Sequence, residues 1–311
     1  SSDLCTVGAM SLTSYAPLEE AFRPLMFSHP KIPAPNCYRC GLNLSYPECG
    51  VQCARELETT IREAGPENVA AFVAEPIGGA STGAVVPPDE YFGIITSICR
   101  KYGIMLILDE VMTGFGRTGK LFGYEHWNIE ADIIAISKGM ASGYVPLGAI
   151  MARHEIVDVV LSKGGFKHGF TYAGNPMACA IGLQVLDIII GDGLVDNAER
   201  IGHSLKKALL ELQEKHAIIG DVRGRGLLQA IELVKDRETK APFPAAVDAG
   251  QRLMDIAFEE GVIIYPRKTL NGIEGDHLLV SPPLITNEQD VKELINRIDL
   301  ALEKATKELM P

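Results

Sequence analysis

Two apolar runs decide the fold: Ile104-Met105-Leu106-Ile107-Leu108-Asp109 and Ile133-Ile134-Ala135-Ile136-Ser137-Lys138. Each is a short continuous hydrophobic stretch, which is typical of a strand that is buried on both faces. Asp109 closes the first run, and Lys138 follows the second run 29 residues later (138 − 109). Because the carboxyl ends of parallel strands meet at one edge of an open sheet, we expect this carboxylate and this amine to share a ligand crevice.

The sequence before these runs predicts the same type of sheet. Residues 69–74 form another short apolar run, and Pro87-Pro88-Asp89 then opens an amphipathic helix. Its apolar face carries Tyr91, Ile94, Ile95 and Ile98. Strand, helix and strand in this order predict an α/β fold with a mostly parallel central sheet and helices on both faces.

The composition and the predicted order of helices and strands change after residue 190. From Val195 onward we predict helices rich in Lys and Glu with two or three strands between them, among them 227–233 and 277–280. We therefore place a large α/β domain over residues 1–190 and a smaller C-terminal α+β domain over residues 191–311.

Two local predictions concern the ends of the chain. Residues 17–50 hold many Pro, Cys and Tyr residues without periodicity and are expected to form a long ordered loop. Thr286 and Gln289 are expected to form a capping box for the last helix. The core stripe of that helix would be Val291, Leu294, Ile295, Ile298 and Leu302.

Composition excludes several classes of partner. The chain has 311 residues, 47% of them hydrophobic, which is enough for a substantial core. Its net charge of −11 disfavours binding to nucleic acid or to anionic membranes. The odd number of cysteines, 7, favours a reduced, cytoplasmic protein over a disulfide scaffold.

Two motifs offer other functions. The turn from Gly114 to Lys120 resembles a phosphate-binding P-loop, but Leu121 stands where that motif requires Ser or Thr, and an acidic pair precedes it. We interpret it as a tight glycine turn in a cleft wall. Cys37, Cys40, Cys49 and Cys53 resemble a zinc site without its glycine-rich knuckle, so we expect free thiols and no metal.

The strand-end amine and carboxylate point to a cofactor. A lysine amine forms a Schiff base with an aldehyde, and a buried aspartate keeps a pyridinium nitrogen protonated. Small residues around Lys138 would let a planar cofactor approach the backbone. Taken singly, Lys138 could be a solvated lysine and Asp109 a turn cap, but the pair indicates pyridoxal phosphate. His168 is expected to have a hydrogen-bonded structural role.

At residues 108–119 the sequence resembles the hallmark of class III aminotransferases, a group of fold-type I enzymes that depend on pyridoxal phosphate. Further phrases that resemble the family stand in its order: 74–77, 137–139, 171–176, 222–227 and 282–284. The family's glycine- and serine-containing phosphate-binding turn, and its ring-stacking aromatic, have no match, so we expect the large domain to be incomplete at its N-terminus.

The resemblance implies a role for four residues. Lys138 would form the Schiff base with the cofactor and move a proton to and from the substrate. Asp109 would pair with the pyridine nitrogen, and Val111 would pack on one face of the ring. Thr171 would bind the cofactor phosphate of the neighbouring subunit, which implies a homodimer with shared active sites.

The resemblance also implies the reaction, which is ping-pong transfer of an amino group from an ω-amino acid or amine to a 2-oxo acid. Residues 277–281 hold no arginine, which favours pyruvate over glutamate-type substrates, and Arg267 is the candidate clamp for a substrate carboxylate. Two alternatives remain. One is a decarboxylase or aminomutase on the same scaffold, and the other is a non-catalytic metal-binding protein organised by the cysteines.

Overall fold

The computed structural model describes residues 6–167 and 169–310. Its α-helices are α1 (Val7–Leu12), α2 (Ala16–Phe22), α3 (Gln52–Ala64), α4 (Tyr91–Tyr102), α5 (His154–Ser162), α6 (Pro176–Gly191), α7 (Leu194–Lys215), α8 (Ala249–Glu259) and α9 (Glu288–Leu309). Its strands are β1 (Ala71–Ala74), β2 (Met105–Asp109), β3 (Ile133–Ile136), β4 (Ala149–Ala152), β5 (Ile219–Arg225), β6 (Leu228–Leu233), β7 (Tyr265–Leu270) and β8 (Glu274–Val280).

The first sheet has the strand order β1-β2-β3-β4. The first three strands are parallel, and β4 pairs antiparallel with β3. The two quoted runs are therefore neighbouring parallel strands, as the sequence predicted, and the predicted helix between the first two strands is α4. The antiparallel β4 was not predicted. Its four residues are too few, and half of them too exposed, to give a clear pattern.

The second sheet is antiparallel throughout, with the order β5-β6-β8-β7. Helices α7, α8 and α9 contribute to one apolar core with it, in which Leu205, Ile231 and Ile298 are fully buried. The α/β class and the C-terminal α+β part are confirmed. The boundary near residue 190 stays a prediction, and it falls close to the short connection between α6 and α7.

Two local predictions were wrong in detail. The capping box of α9 is formed by Asn287 and Asp290, one residue later than predicted, because the Asn287 side chain accepts from the Asp290 N–H at 3.1 Å. The predicted apolar stripe of α9 does join the core. The stretch 17–50, predicted as a loop, begins inside helix α2 and is irregular only after it. Pro17 lies in the first turn of α2, a position that suits proline.

A buried carboxylate connects the Cys-rich segment to the second sheet. Glu232 on β6 is fully buried and forms ion pairs with Arg39 and Arg223, the latter at 2.5 Å. Arg223 also contacts Asp221 at 2.9 Å. Two guanidinium groups thus compensate one fully desolvated carboxylate, and each would be left poorly paired without it.

Within residues 6–167 and 169–310, no single helix is both long and apolar enough to cross a membrane. Helices α6 and α7, which meet at a bend of 62°, pass that test only as a pair and only by length and composition.

Replacing Glu232 tests this buried network. We expect Glu232→Ala to lower the free energy of unfolding by about 3–5 kcal/mol, because Arg39 loses its carboxylate partner and the buried Arg223 keeps only Asp221. Urea denaturation measures the change. Glu303→Ala is the control, since Glu303 pairs with Lys215 on an exposed surface and its removal should matter little. Equal losses in the two variants would contradict this interpretation.

Candidate active site

Three successive strand ends of the first sheet carry charged side chains. Glu75 follows β1, Asp109 ends β2 and Lys138 comes two residues after β3. The register pairs Ala74 with Leu108 and Asp109 with Ala135, so the three side chains leave the sheet along the same edge. The structure thus places the two sequence-predicted residues Asp109 and Lys138 at the ends of neighbouring parallel strands, which is the edge where open α/β sheets bind ligands.

Lys138 has an unusual backbone. Its φ is +40°, in the left-handed region that non-glycine residues rarely adopt, and it begins a 3-10 turn. Ser137 before it is buried, and its hydroxyl donates to the Leu147 carbonyl at 2.9 Å. The lysine itself is exposed. A strained residue that is fixed by a buried neighbour is typical of a functional position.

Asp109 is held by the turn that follows it. One of its carboxylate oxygens accepts the Val111 N–H at 3.0 Å, and Val111 is buried. The acid beside it does more to fix this turn. Glu110 is fully buried and accepts hydrogen bonds from the Thr113 hydroxyl and from the Gly123 and Tyr124 N–H groups, the latter two at 2.8 Å. Burial raises the pKa of Glu110, although these donors oppose the shift.

Sequence reasoning missed this role of Glu110. The signal in the sequence was the alternation of positions along the strand, because Glu110 stands two residues after Leu108 and four after Leu106. All three are buried, so the inward face of the strand continues into the turn.

The glycine turn that resembles a P-loop connects the strand ends to the second sheet. Phe115 has a φ of +58°, Gly116 and Gly119 have a φ of +88°, and a 3-10 turn rather than an α-helix follows. Arg117 is the residue that sequence reasoning overlooked here. Its side chain donates to the carbonyls of Leu227 at 3.2 Å and Pro282 at 2.6 Å. Burial lowers the pKa of Arg117. The turn is therefore a structural connection, as the glycine interpretation expected.

A cavity of about 440 Å³ opens at this connection. It is lined on one side by Val111, Phe115 and Lys138 and on the other by Leu228 and Leu284 of the C-terminal part. Asp109 is not among its lining residues. The volume suits a small-molecule ligand, and the lining is mostly apolar with few polar groups, as in many cofactor sites.

Thr171 lies elsewhere. It is exposed in a turn and lines neither this cavity nor the larger one beside β1. Its neighbour Tyr172 is 80% exposed. Within one chain Thr171 therefore does not line the cavity that Lys138 lines. His168 lies outside the described residues.

The four clustered cysteines are free thiols in the structure. Burial raises the pKa of Cys53 to about 11, and the neighbouring Cys37, Cys49 and Cys40 add to the shift. In the part of the chain that the structure describes, no group of three or more His, Cys, Asp or Glu side chains is placed to hold a metal ion.

Replacing Glu110 tests whether its buried carboxylate anchors the turn after β2. We expect Glu110→Gln to destabilise the protein by about 1–3 kcal/mol, because an amide group would be placed against backbone N–H donors. The midpoint of urea unfolding measures the loss. Glu125→Gln is the matched control in the same turn, because exposed Glu125 accepts only the Phe122 N–H at 2.8 Å, and the amide oxygen can replace it. An unchanged midpoint for Glu110→Gln would refute the anchoring role.

Comparison with known proteins identifies relatives that match most of the chain. The chain is 38% identical over 294 residues to the uncharacterized aminotransferase YodT of Bacillus subtilis, covering 94% of this chain and 66% of that protein. It is 40% identical over 265 residues to the putrescine–pyruvate aminotransferase of Pseudomonas aeruginosa, covering 85% of this chain and 56% of that protein. The chain thus spans less than two thirds of the length of these relatives.

A solved structure gives the same assignment. An amine transaminase from an uncultivated Pseudomonas species, described in its pyridoxal-phosphate-bound form, superposes with a TM-score of 0.81 at 36% identity. The match covers 88% of this chain and 61% of that one. The profile of the family Aminotransferase class-III matches residues 5–302. A match over that much of the sequence, with relatives that share more than a third of its residues, shows that this chain belongs to the class-III aminotransferase family.

Proposed function

We propose that the protein is a transaminase that depends on pyridoxal phosphate and transfers an amino group from an ω-amino acid or amine to a 2-oxo acid. The observation that carries the proposal is the placement of Asp109 and Lys138 at neighbouring ends of parallel strands. Pyridoxal phosphate is the cofactor of this family. The donor set fits it, because a primary amine suits an aldehyde and a carboxylate suits a pyridinium nitrogen.

Three residues would hold the cofactor. Lys138 would bind it covalently through the side-chain nitrogen, Asp109 would keep the ring nitrogen protonated, and Val111 would contact the ring. When bound, the cofactor supplies an electron sink for the negative charge that develops at the substrate Cα. Asp109 contributes its negative charge in a partly buried position, where electrostatic interactions are stronger than in water.

Lys138 would then act as the acid–base group. Its amine takes a proton from the substrate Cα and returns a proton in the second half of the reaction. This role requires the neutral amine. Lys138 combines a positive φ with a place in the lining of the 440 Å³ cavity, which is the space that a substrate could occupy.

We propose pyruvate as the acceptor, for two reasons. A relative carries pyruvate in its name, and residues 277–281 contain no arginine for a second carboxylate. Arg267 is the candidate clamp for the substrate carboxylate. It is exposed on the edge strand β7, where its guanidinium stacks on Tyr265 with 4.7 Å to the ring centroid.

We further propose a homodimer in which Thr171 of each subunit serves the site of the other. Thr171 is exposed and does not line the cavity of its own chain. Nearby helix α6 is apolar but exposes Met177 (70%) and Leu183 (62%). A patch of this kind typically belongs to an interface. The free thiols at the six described cysteines support a reducing, cytoplasmic location.

Spectroscopy tests the covalent role of Lys138. The purified protein should show a band at roughly 410–430 nm that borohydride abolishes, leaving the cofactor fixed to Lys138. Peptide mass spectrometry locates the adduct. Lys138→Ala should lack both band and adduct. Lys163→Ala, in an exposed turn after α5, is the control and should keep them. An adduct on another lysine would overturn the assignment.

Product analysis separates transamination from its rival on the same scaffold. With an amine donor and pyruvate, the unmodified protein should form alanine. Release of carbon dioxide from an amino acid without alanine formation would favour the decarboxylase instead.

Mixed dimers test the shared site. Neither Lys138→Ala nor Thr171→Ala alone should be active, because each impairs both sites. After refolding or co-expression together, half of the dimers are mixed and each mixed dimer has one intact site, so about a quarter of the unmodified activity should return. No recovery would mean that Lys138 and Thr171 serve the same chain's site.

A further inference from the structure

The loop of residues 78–85 connects the end of β1 to the segment before α4, and the second sheet holds it in place. Three of its carbonyls accept hydrogen bonds from that sheet. The His277 ring Nε2 contacts the Ala80 oxygen at 2.8 Å. The Arg223 side chain donates to the Thr82 oxygen at 3.1 Å and to the Gly83 oxygen at 2.5 Å.

Both ring nitrogens of His277 have a hydrogen-bond partner. It is fully buried on β8, and Nδ1 lies 3.2 Å from the Thr269 hydroxyl. Because Nε2 faces a carbonyl oxygen, it must donate, and in the neutral ring Nδ1 then accepts from the Thr269 hydroxyl. Burial lowers the pKa of His277 to about 4, with the positive charges of Arg223 and Arg267 acting in the same direction.

Packing reinforces these hydrogen bonds. Ile77 and Ala84 form an apolar cluster with Leu228, Ala230 and Leu279 of the second sheet. Gly83 has a φ of +69°, and a Cβ there would come within 2.6 Å of the His277 ring. The loop and the sheet therefore fit together without room for a side chain at this point.

The same loop touches the strand ends on its other side. The Gly79 N–H donates to a Glu75 carboxylate oxygen at 2.9 Å. A Cβ on Gly79 would lie 2.6 Å from that oxygen and 3.1 Å from Cγ of Met112, which follows Val111. One continuous path of contacts thus leads from His277 through the loop to Glu75 and to the turn that carries Asp109 and Val111.

We propose that His277 and Arg223 are positioning residues, which set the 78–85 loop and through it the strand-end residues that receive the cofactor. The proposal rests on the proposed function in that it assumes a pyridoxal phosphate site at Asp109 and Lys138. It adds that the affinity of that site depends on a contact made by the C-terminal sheet.

His277 gives a clean set of variants. His277→Leu removes the donor to Ala80, whereas the amide of His277→Gln can still donate to it. Thr269→Val is a milder change that removes only the partner of Nδ1. His216→Leu is the matched control, because His216 is also buried in the C-terminal part but contacts Asp299 at 2.6 Å, away from the loop.

Two measurements are made on the purified protein and each variant. The first is the dissociation constant of pyridoxal phosphate, from absorbance titration of the cofactor-free form. The second is hydrogen exchange of residues 78–85. His277→Leu should weaken cofactor binding about tenfold, the effect of one lost buried hydrogen bond, and speed exchange in the loop. Thr269→Val should act in the same direction by a smaller factor, and His277→Gln should restore most of the affinity.

The outcomes separate the two ideas. If the unmodified protein binds no pyridoxal phosphate, the proposed function fails. If it binds the cofactor but His277→Leu and Thr269→Val weaken binding no more than His216→Leu does, the function stands and the positioning role is overturned. A loss of affinity in His277→Leu that His277→Gln does not rescue would also overturn it, since the hydrogen bond to Ala80 would then be irrelevant.

Discussion

The register of three short parallel strands is the constraint on which the rest of the structure depends. Because Ala74 pairs with Leu108 and Asp109 with Ala135, the chain leaves all three strands at one edge. A shift of one residue in β2 would turn Asp109 to the opposite face and bring Leu108 to the edge. The buried side chains of β2 and β3 prevent such a shift, since they would then lose their places in the core.

Register alone does not fix a side chain beyond the end of a strand, and buried polar groups complete the task. Glu110 ties the turn after β2 to the Gly123 and Tyr124 amides, and Arg117 ties the same turn to carbonyls of the C-terminal part. Such groups are costly to bury, and the hydrogen bonds that they make here offset part of that cost. Together these hydrogen bonds hold the turn after β2 in one conformation. A binding site that includes Asp109, at the start of this turn, requires such a fixed backbone.

The sequence predicted those features that depend on local pattern. The central strands, helix α4, the apolar stripe of α9 and the adjacency of Asp109 and Lys138 all follow from short apolar runs or helical periodicity. It could not predict features that depend on contacts between distant segments. Arg117 and Leu227 are 110 residues apart, and Arg39 and Glu232 are 193 apart. In each case a charged residue in the sequence looks solvated, and only the fold reveals the buried partner.

The residues assigned to the candidate site therefore come from different parts of the chain. The strand ends belong to one sheet and the opposite wall of the cavity belongs to the other, whereas Thr171 stands on an exposed turn and does not line this cavity. A site built from two sheets binds a ligand tightly only when the sheets are fixed relative to each other. Otherwise part of the binding free energy is lost in ordering them. The buried contacts between the two sheets remove part of that cost before any ligand arrives.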